Sequence, residues 1–308
     1  MKIFITGGTG FIGSSITRTL ANCGHDVTIL TRGIPSGCIL PRGVRFLIGD
    51  STKEGTWQKD VAEHEVVINL AGASIFRRWN ARNKAVIRES RVLTTRHVVE
   101  ALAGCKGHDS QLFSASGIGI YGSCGDEEIN ESSPTGDNFI AQVAVQWERE
   151  ALAAERCGTR VVLCRFSQVM GRGGGPLNKL VRASQFHMAT KWGNGQQWVS
   201  WIHEDDIVNI ILFLLENNDV SGPLNVTSPN PIRNTELAAI VARTLRKRVL
   251  IPSVPAFILN SLMGDFTEEL LHGQRALPQK LLSFDYKFKY PGITEALQDL
   301  IIVPYEHS

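Results

Sequence analysis

Eight residues near the start of the chain, Thr6-Gly7-Gly8-Thr9-Gly10-Phe11-Ile12-Gly13, carry the strongest chemical signal. They follow a short apolar run, Ile3–Thr6, and open a stretch of helical periodicity, Phe11–Cys23, with Ile12, Ile16 and Leu20 on one face. A loop of this kind suits a dinucleotide pyrophosphate. Gly7 permits a tight strand-to-helix turn, Gly10 removes a side chain where backbone must approach phosphate oxygens, and Gly13 lets the helix lie close to the strand. The helix N-terminus adds unpaired N–H groups and the positive end of its dipole. The spacing is G-x-x-G-x-x-G rather than G-x-G-x-x-G. A glycine-rich turn without a ligand is the bland alternative, but strand, loop and helix stand in the order the ligand needs. The expected contacts are Gly7, Thr9, Gly10, Phe11, Ile12 and Gly13. No Walker lysine follows, which argues against a nucleoside triphosphate.

The next candidates end the following β-like runs. Asp26–Thr31 leads into Arg32. An acidic residue here would take the 2′-hydroxyl of NAD, whereas a guanidinium can hold the 2′-phosphate of NADP. Thr31 and Arg32 therefore point to NADP, against the alternative of a solvated arginine. Asp50, after Val44–Ile48, could accept from the adenine amino group or simply cap a turn. Leu70-Ala71-Gly72 closes Val66–Leu70, where small residues let backbone pass close to a ribose.

These loops need a scaffold, and the periodicities supply one. Beta-like runs at Leu112–Ala115, Arg160–Arg165 and Leu224–Thr227 join those above. They alternate with helical patterns at Trp79–Gly104, Phe139–Arg156, Ile207–Glu216 (N-cap Asp205 or Asp206) and Thr235–Leu245 (N-cap Asn234). The expectation is an α/β fold: a Rossmann-type doubly wound parallel sheet with a smaller mixed C-terminal substrate lobe. Residues 1–170 plus about 200–228 would form the dinucleotide lobe, and 171–199 and 229–308 the substrate-cleft lobe. Gly171–Pro176 and Trp192–Gly195 read as cleft-bordering glycine loops, either mobile walls or surface turns. The Pro-punctuated region 252–291 reads as small helices around that cleft.

Composition narrows the class. The 308 residues suffice for a sizeable core, and 43% hydrophobic with 20% charged residues is ordinary for a globular protein. The formal charge of +2 predicts neither a nucleic-acid nor a membrane partner. The run Ile207–Leu215 is too short to span a bilayer, and MKIFITGG does not resemble a signal peptide. The six cysteines form no CxxC pair, so reduced thiols, several of them in the core, and a cytoplasmic location are expected. No metal site is expected; His203-Glu204-Asp205-Asp206 is better explained by helix capping. There is no HExxH, GxSxG or Cys₄ pattern.

TGGTGFIG, NLAGA (69–73), FSASGIGIYG (113–122) and WIHEDDI (201–207) resemble landmarks of the extended short-chain dehydrogenase/reductase superfamily. RRWN (77–80), ESRVLTT (89–95), WERE (147–150), GRGGGP (171–176) and ELLHGQRALPQKLL (269–282) resemble its atypical epimerase-family branch, sometimes described as cell-division-inhibitor-like. Nothing in these residues speaks for action on cell division. The resemblance spans nearly the whole chain and implies a nicotinamide cofactor. It also implies cofactor contacts from Ser114, Arg91 and the Val169 backbone, and a carbonyl-polarising hydroxyl at Ser116. The other basic residues of 77–96, such as Arg82, Lys84, Arg88 and Arg96, read as a solvated helix face. Trp79 could wall the cleft or belong to the core.

One element of the pattern is missing. The superfamily's Tyr-x-x-x-Lys pair, in which Lys lowers the pKa of a proton-transferring Tyr, falls here on Ile140 and Ala144. Tyr121 is the nearest substitute along the chain, with His203 and Glu204 as weaker ones. The expected function is an NADP(H)-binding oxidoreductase or epimerase-like enzyme acting on a small molecule, as a monomer or homodimer. The alternative is a non-catalytic NADP(H)-binding redox sensor or scaffold.

Overall fold

The computed structural model describes residues 1–34, 41–104, 110–185, 191–247, 253–255, 257, 260–261 and 264–302. Cys38, Cys105 and Pro252 lie outside them.

Seven strands form one parallel sheet: β1 (Lys2–Thr6), β2 (Asp26–Thr31), β3 (Val44–Ile48), β4 (Val66–Asn69), β5 (Gln111–Gly117), β7 (Arg160–Phe166) and β11 (Gly222–Val226). The order is β3-β2-β1-β4-β5-β7-β11. The chain winds outward from β1 in one direction and then from β4 in the other. The crossover between β1 and β4 opens a crevice at the strands' C-terminal ends. Strand alternation explains why both faces are covered. Ile3, Ile5, Val66, Ile68, Val162 and Cys164 join one core, while Phe4, Val67, Val161 and Leu163 join the other.

The first core is closed by α1 (Phe11–Asn22) and α6 (Glu204–Glu216), through Ile16, Leu20, Ile207, Ile211 and Leu214. The second is closed by α2 (Trp57–Val61), α3 (Ala81–Leu102) and α4 (Phe139–Leu152), through Trp57, Val98, Leu102 and Ala151. A third core, around Trp201, Leu177, Leu180, Leu237, Val241 and Leu297, draws on α5 (Gly175–Gln185), α7 (Asn234–Thr244) and the C-terminal helix α10 (Ile293–Ile302). Short strands β8 (Gln168–Met170), β9 (Trp198–Val199), β10 (Trp201–His203) and β12 (Ile232–Arg233) link this region to the sheet. Two helices, α8 (Phe266–Leu271) and α9 (Gln279–Ser283), flank β13 (Arg275–Ala276), which pairs with β6 (Glu128–Ile129).

The structure departs from the sequence expectations at several places. Helix α7 begins at Asn234 itself, so its N-cap position falls on Arg233 rather than Asn234. Helix α6 starts at Glu204, and its N-cap is neither Asp205 nor Asp206 but His203, whose Nδ1 accepts from the Asp205 N–H at 3.0 Å. Asp206 is buried and instead accepts the backbone N–H groups of Lys289 and Tyr290. Glycine 175, expected in a loop, begins α5. Of the described cysteines only Cys164 is buried; Cys23 and Cys157 are exposed. Among the described residues no helix is long and apolar enough to cross a membrane.

Candidate functional site: a cleft at the crossover of the sheet

The glycine loop lies at the mouth of the crossover crevice. Gly7 adopts φ +73°, a conformation that L side chains rarely adopt. A Cβ on Gly13 would stand 2.2 Å from the Gly7 carbonyl oxygen, so the close helix–strand approach excludes any side chain. Gly10 is the N-cap of α1 and no side chain caps the helix, so the first N–H groups remain open to an anion. Thr9 and Gly10 are exposed. Below the loop, Thr6 Oγ donates to Asn69 Oδ1 at 2.6 Å, and Asn69 Nδ2 donates to the hydroxyls of Thr95 and Ser114. This buried polar group ties the ends of β1, β4, β5 and α3 together. It also takes Ser114 out of the cleft: its hydroxyl is fully buried, contrary to the expected cofactor contact.

A cleft of about 740 Å³ runs from the loop toward α5 and α8. Gly7, Gly10, Phe11, Ile12, Gly13, Leu70, Gly72, Arg91, Ser116 and Val169 all line it. Ala71 sits just behind, its N–H donating to Thr6 Oγ. Trp79 is both wall and core, 5% exposed and packed against Phe139 and Phe266. Thr31 ends β2, half-buried, and Arg32 follows it at the surface with its side chain exposed. Asp50 accepts from the N–H and hydroxyl of Thr52, which hold its carboxyl below the usual range, so it is tied into a turn.

Arg91 is the unusual cation. Its Nη1 donates to the carbonyls of Ala73 and Ile87, both at 3.0 Å, and its guanidinium lies 5.2 Å from the Trp147 ring centre. No carboxylate pairs with it among the described residues, and burial alone pulls its pKa down to about 10. Gly72 leaves room for it: a Cβ there would lie 3.2 Å from the guanidinium carbon. A positive charge without a counter-charge beside an anion-cradling loop marks a place for an anionic ligand.

Ser116 also faces the cleft, but its proton points inward. The hydroxyl donates to Glu148 Oε1 at 2.7 Å, and Glu148 is held by Arg165 at 2.8 Å on each oxygen. Oriented so, Ser116 presents lone pairs to the cleft and accepts rather than donates. Tyr121 is not available as the substitute proton donor. It is 3% exposed, its hydroxyl donates to Asn225 at 2.7 Å and accepts from Arg165 at 2.8 Å, and burial pushes its pKa up. His203, Glu204 and Tyr121 are absent from the cleft lining, whereas Ile140 and Ala144 are in it. The gap in the Tyr-x-x-x-Lys pattern is therefore an apolar patch of wall.

The GRGGGP segment owes its glycines to packing as much as to mobility. A Cβ on Gly174 would lie 2.3 Å from the Phe11 ring, and one on Gly171 would lie 2.6 Å from the Glu204 carboxylate. The Trp192–Gly195 loop is anchored too: Gly193 N–H donates to Val254, and the Gly195 carbonyl accepts from the Thr235 N–H and hydroxyl. Sequence reasoning passed over Glu269 on α8, a cleft-lining carboxyl. Its position in ELLHGQRALPQKLL was the available signal.

A parallel sheet with a bare glycine loop at its crossover, and an arginine in the same cleft that has no carboxylate partner among the described residues, defines a dinucleotide-binding protein of the Rossmann kind. The chain belongs to the NAD dependent epimerase/dehydratase family, whose model matches residues 3–227; a domain family of unknown function, DUF1731, matches 254–300. It is 35% identical to the epimerase family protein YfhF of Bacillus subtilis, covering 98% of each chain. It is 33% identical to a chloroplastic SDR39U1 homologue of Arabidopsis thaliana, over 98% of this chain and 87% of that one. Among solved structures, human epimerase family protein SDR39U1 with NADPH superimposes with a TM-score of 0.83 at 27% identity, covering 97% of this chain and 99% of that one.

Proposed function

We propose that the chain binds NADP(H) at the glycine loop and acts as an oxidoreductase or epimerase-like enzyme on a small molecule with a largely apolar body. The observation that carries this is Arg91, a cleft-lining cation with two carbonyl partners and no carboxylate among the described residues. The residues fit the cofactor. Gly7, Gly10 and Gly13 would cradle the pyrophosphate, Arg91 would neutralise phosphate charge, and the exposed Arg32 after β2 would meet the 2′-phosphate. The related human protein, solved with NADPH, supports the same choice. When bound, the nicotinamide would supply two-electron hydride chemistry. Around it, Phe76, Trp79, Ile118, Ile140, Trp192 and Phe266 exclude water and favour an apolar partner. Ser116 would accept a hydrogen bond from a substrate hydroxyl, its own proton held by Glu148.

NADPH and NADH titrations test the cofactor assignment. NADPH is expected to bind at least tenfold more tightly, and Arg32→Asp is expected to abolish that preference, a charge-assisted contact being worth about 1.5–3 kcal/mol. Equal affinities for the two coenzymes would refute it. The competing function, binding without turnover, draws on the apolar wall at Ile140 and Ala144. It would gain if NADPH binds and no carbonyl compound is reduced.

A further inference from the structure

Resting on that assignment, we infer that Glu269, delivered by the short helix α8, is the proton donor and acceptor of the cleft and fills the role left vacant by Ile140 and Ala144. Glu269 lines the same cleft as Ser116 and the glycine loop. Its Oε1 accepts from Asn138 Nδ2 at 2.9 Å. Asn138 is the N-cap of α4 and sits two residues before Ile140. The amide orientation follows from the cap: Asn138 Oδ1 accepts the Ala141 N–H at 2.9 Å, so Nδ2 must face away, toward Glu269. The carboxyl is thereby tied to the start of α4, two residues before the position that replaces the family's tyrosine, and both line the same cleft.

The surroundings favour the neutral acid. Phe266 and Leu270 of α8, Phe139 and Ile140 of α4, and Trp79 form one apolar cluster around this corner. The charges nearby are Glu268 on the same helix, the Lys84–Asp265 pair and Arg88 from α3, and Lys179 and Arg91 on the cleft wall. Burial, helped by Glu268, pushes the Glu269 carboxyl up to about 7. A group that exchanges its proton near neutrality is suited to general acid–base work.

A carbonyl carbon that takes a hydride from the reduced nicotinamide gains two electrons, and its oxygen becomes an alkoxide. The Glu269 O–H bond breaks and a substrate O–H bond forms. The nicotinamide is left oxidised, and Glu269 regains its proton from water. In the reverse direction the Glu269 carboxylate takes the proton from the alcohol.

The test compares wild type, Glu269→Gln and Asn138→Asp, each first titrated with NADPH. NADPH affinity is expected to stay within twofold in all three, because Glu269 is not among the groups assigned to the cofactor. In the infrared, wild type should show a carboxylic-acid band that titrates near neutrality and vanishes in Glu269→Gln. Asn138→Asp keeps the cap but faces Glu269 with a second carboxylate, so that titration should move to higher pH. With NADPH and benzaldehyde, acetophenone or benzil, Glu269→Gln should lower kcat by about a hundredfold or more. The inference is overturned if the band titrates in the ordinary carboxylate range. It is equally overturned if Glu269→Gln turns over as wild type does, or if NADPH-loaded wild type reduces none of the three. Failure of the cofactor assignment would show separately, as absent NADPH binding.

Discussion

Replacing Arg91 by methionine should separate binding from folding. The guanidinium is buried with no counter-charge among the described residues, and the fall of its pKa to about 10 reflects that burial. A depression of this size corresponds to about 3 kcal/mol against the charged form in the folded protein. Methionine keeps a long, flexible apolar stem and removes that cost. The losses are two hydrogen bonds, to Ala73 and Ile87, and the contact over Trp147, each worth about 1 kcal/mol. Gains and losses nearly cancel, so the unliganded variant should unfold in urea within about 1 kcal/mol of wild type. NADPH affinity, in contrast, loses a charge-assisted contact of about 1.5–3 kcal/mol, a weakening of about tenfold to 150-fold. The assays are urea denaturation of the unliganded protein and fluorescence titration with NADPH. A variant that loses more than about 2 kcal/mol of stability while its NADPH affinity stays the same would show Arg91 to be a structural residue. The assignment of the cleft's positive charge would then fail.

Arg165→Met should cost about 3–5 kcal/mol, because it strands the buried Glu148 carboxylate. The double variant Arg165→Met/Glu148→Met should recover most of the loss in the same urea assay; a double variant no more stable than the single would contradict this. His64 and His203 are both buried, and desolvation lowers their pKa values in the folded state. The unfolded chain therefore binds more protons, and stability should fall as the pH drops below about 6.5. Melting temperatures across that range check the slope, which His64→Gln should flatten.

The sheet was readable because its signals are local. Each of the seven strands contains a short run rich in apolar residues, and the first βα turn carries its glycines within eight residues. What chain order could not convey was which way side chains face after the chain turns. Tyr121 follows β5 closely, as a cleft residue should, yet a 3₁₀ turn over Ile118–Tyr121 buries its hydroxyl against Asn225 and Arg165. Ser114 and Ser116 share one face of β5, but only Ser116, nearer the strand's C-terminal end, lines the cleft, while Ser114 meets Asn69 one step below it. Glu269 escaped notice for the opposite reason. It lies 131 residues from Asn138, and only the folded chain brings the two together. His203 was passed over as a cap because side-chain carboxylates are the commoner acceptors at a helix start.

The contact between Phe11 and Gly174 has a consequence for how such a chain can vary over time. The Phe11 ring opens the helix behind the glycine loop, and it fills the space that any side chain at 174 would need. Position 175 is crowded by the same ring. Phe11 follows the first strand and Gly174 comes more than 160 residues later, yet position 174 cannot enlarge unless the aromatic ring gives way, and Gly175 is held besides by φ +69° and by the Val169 carbonyl, 2.6 Å from an added Cβ. Inherited changes at 11 and 174 are thus constrained to arrive together, while 175 stays glycine, and the nucleotide loop and the entry to α5 form a single heritable unit.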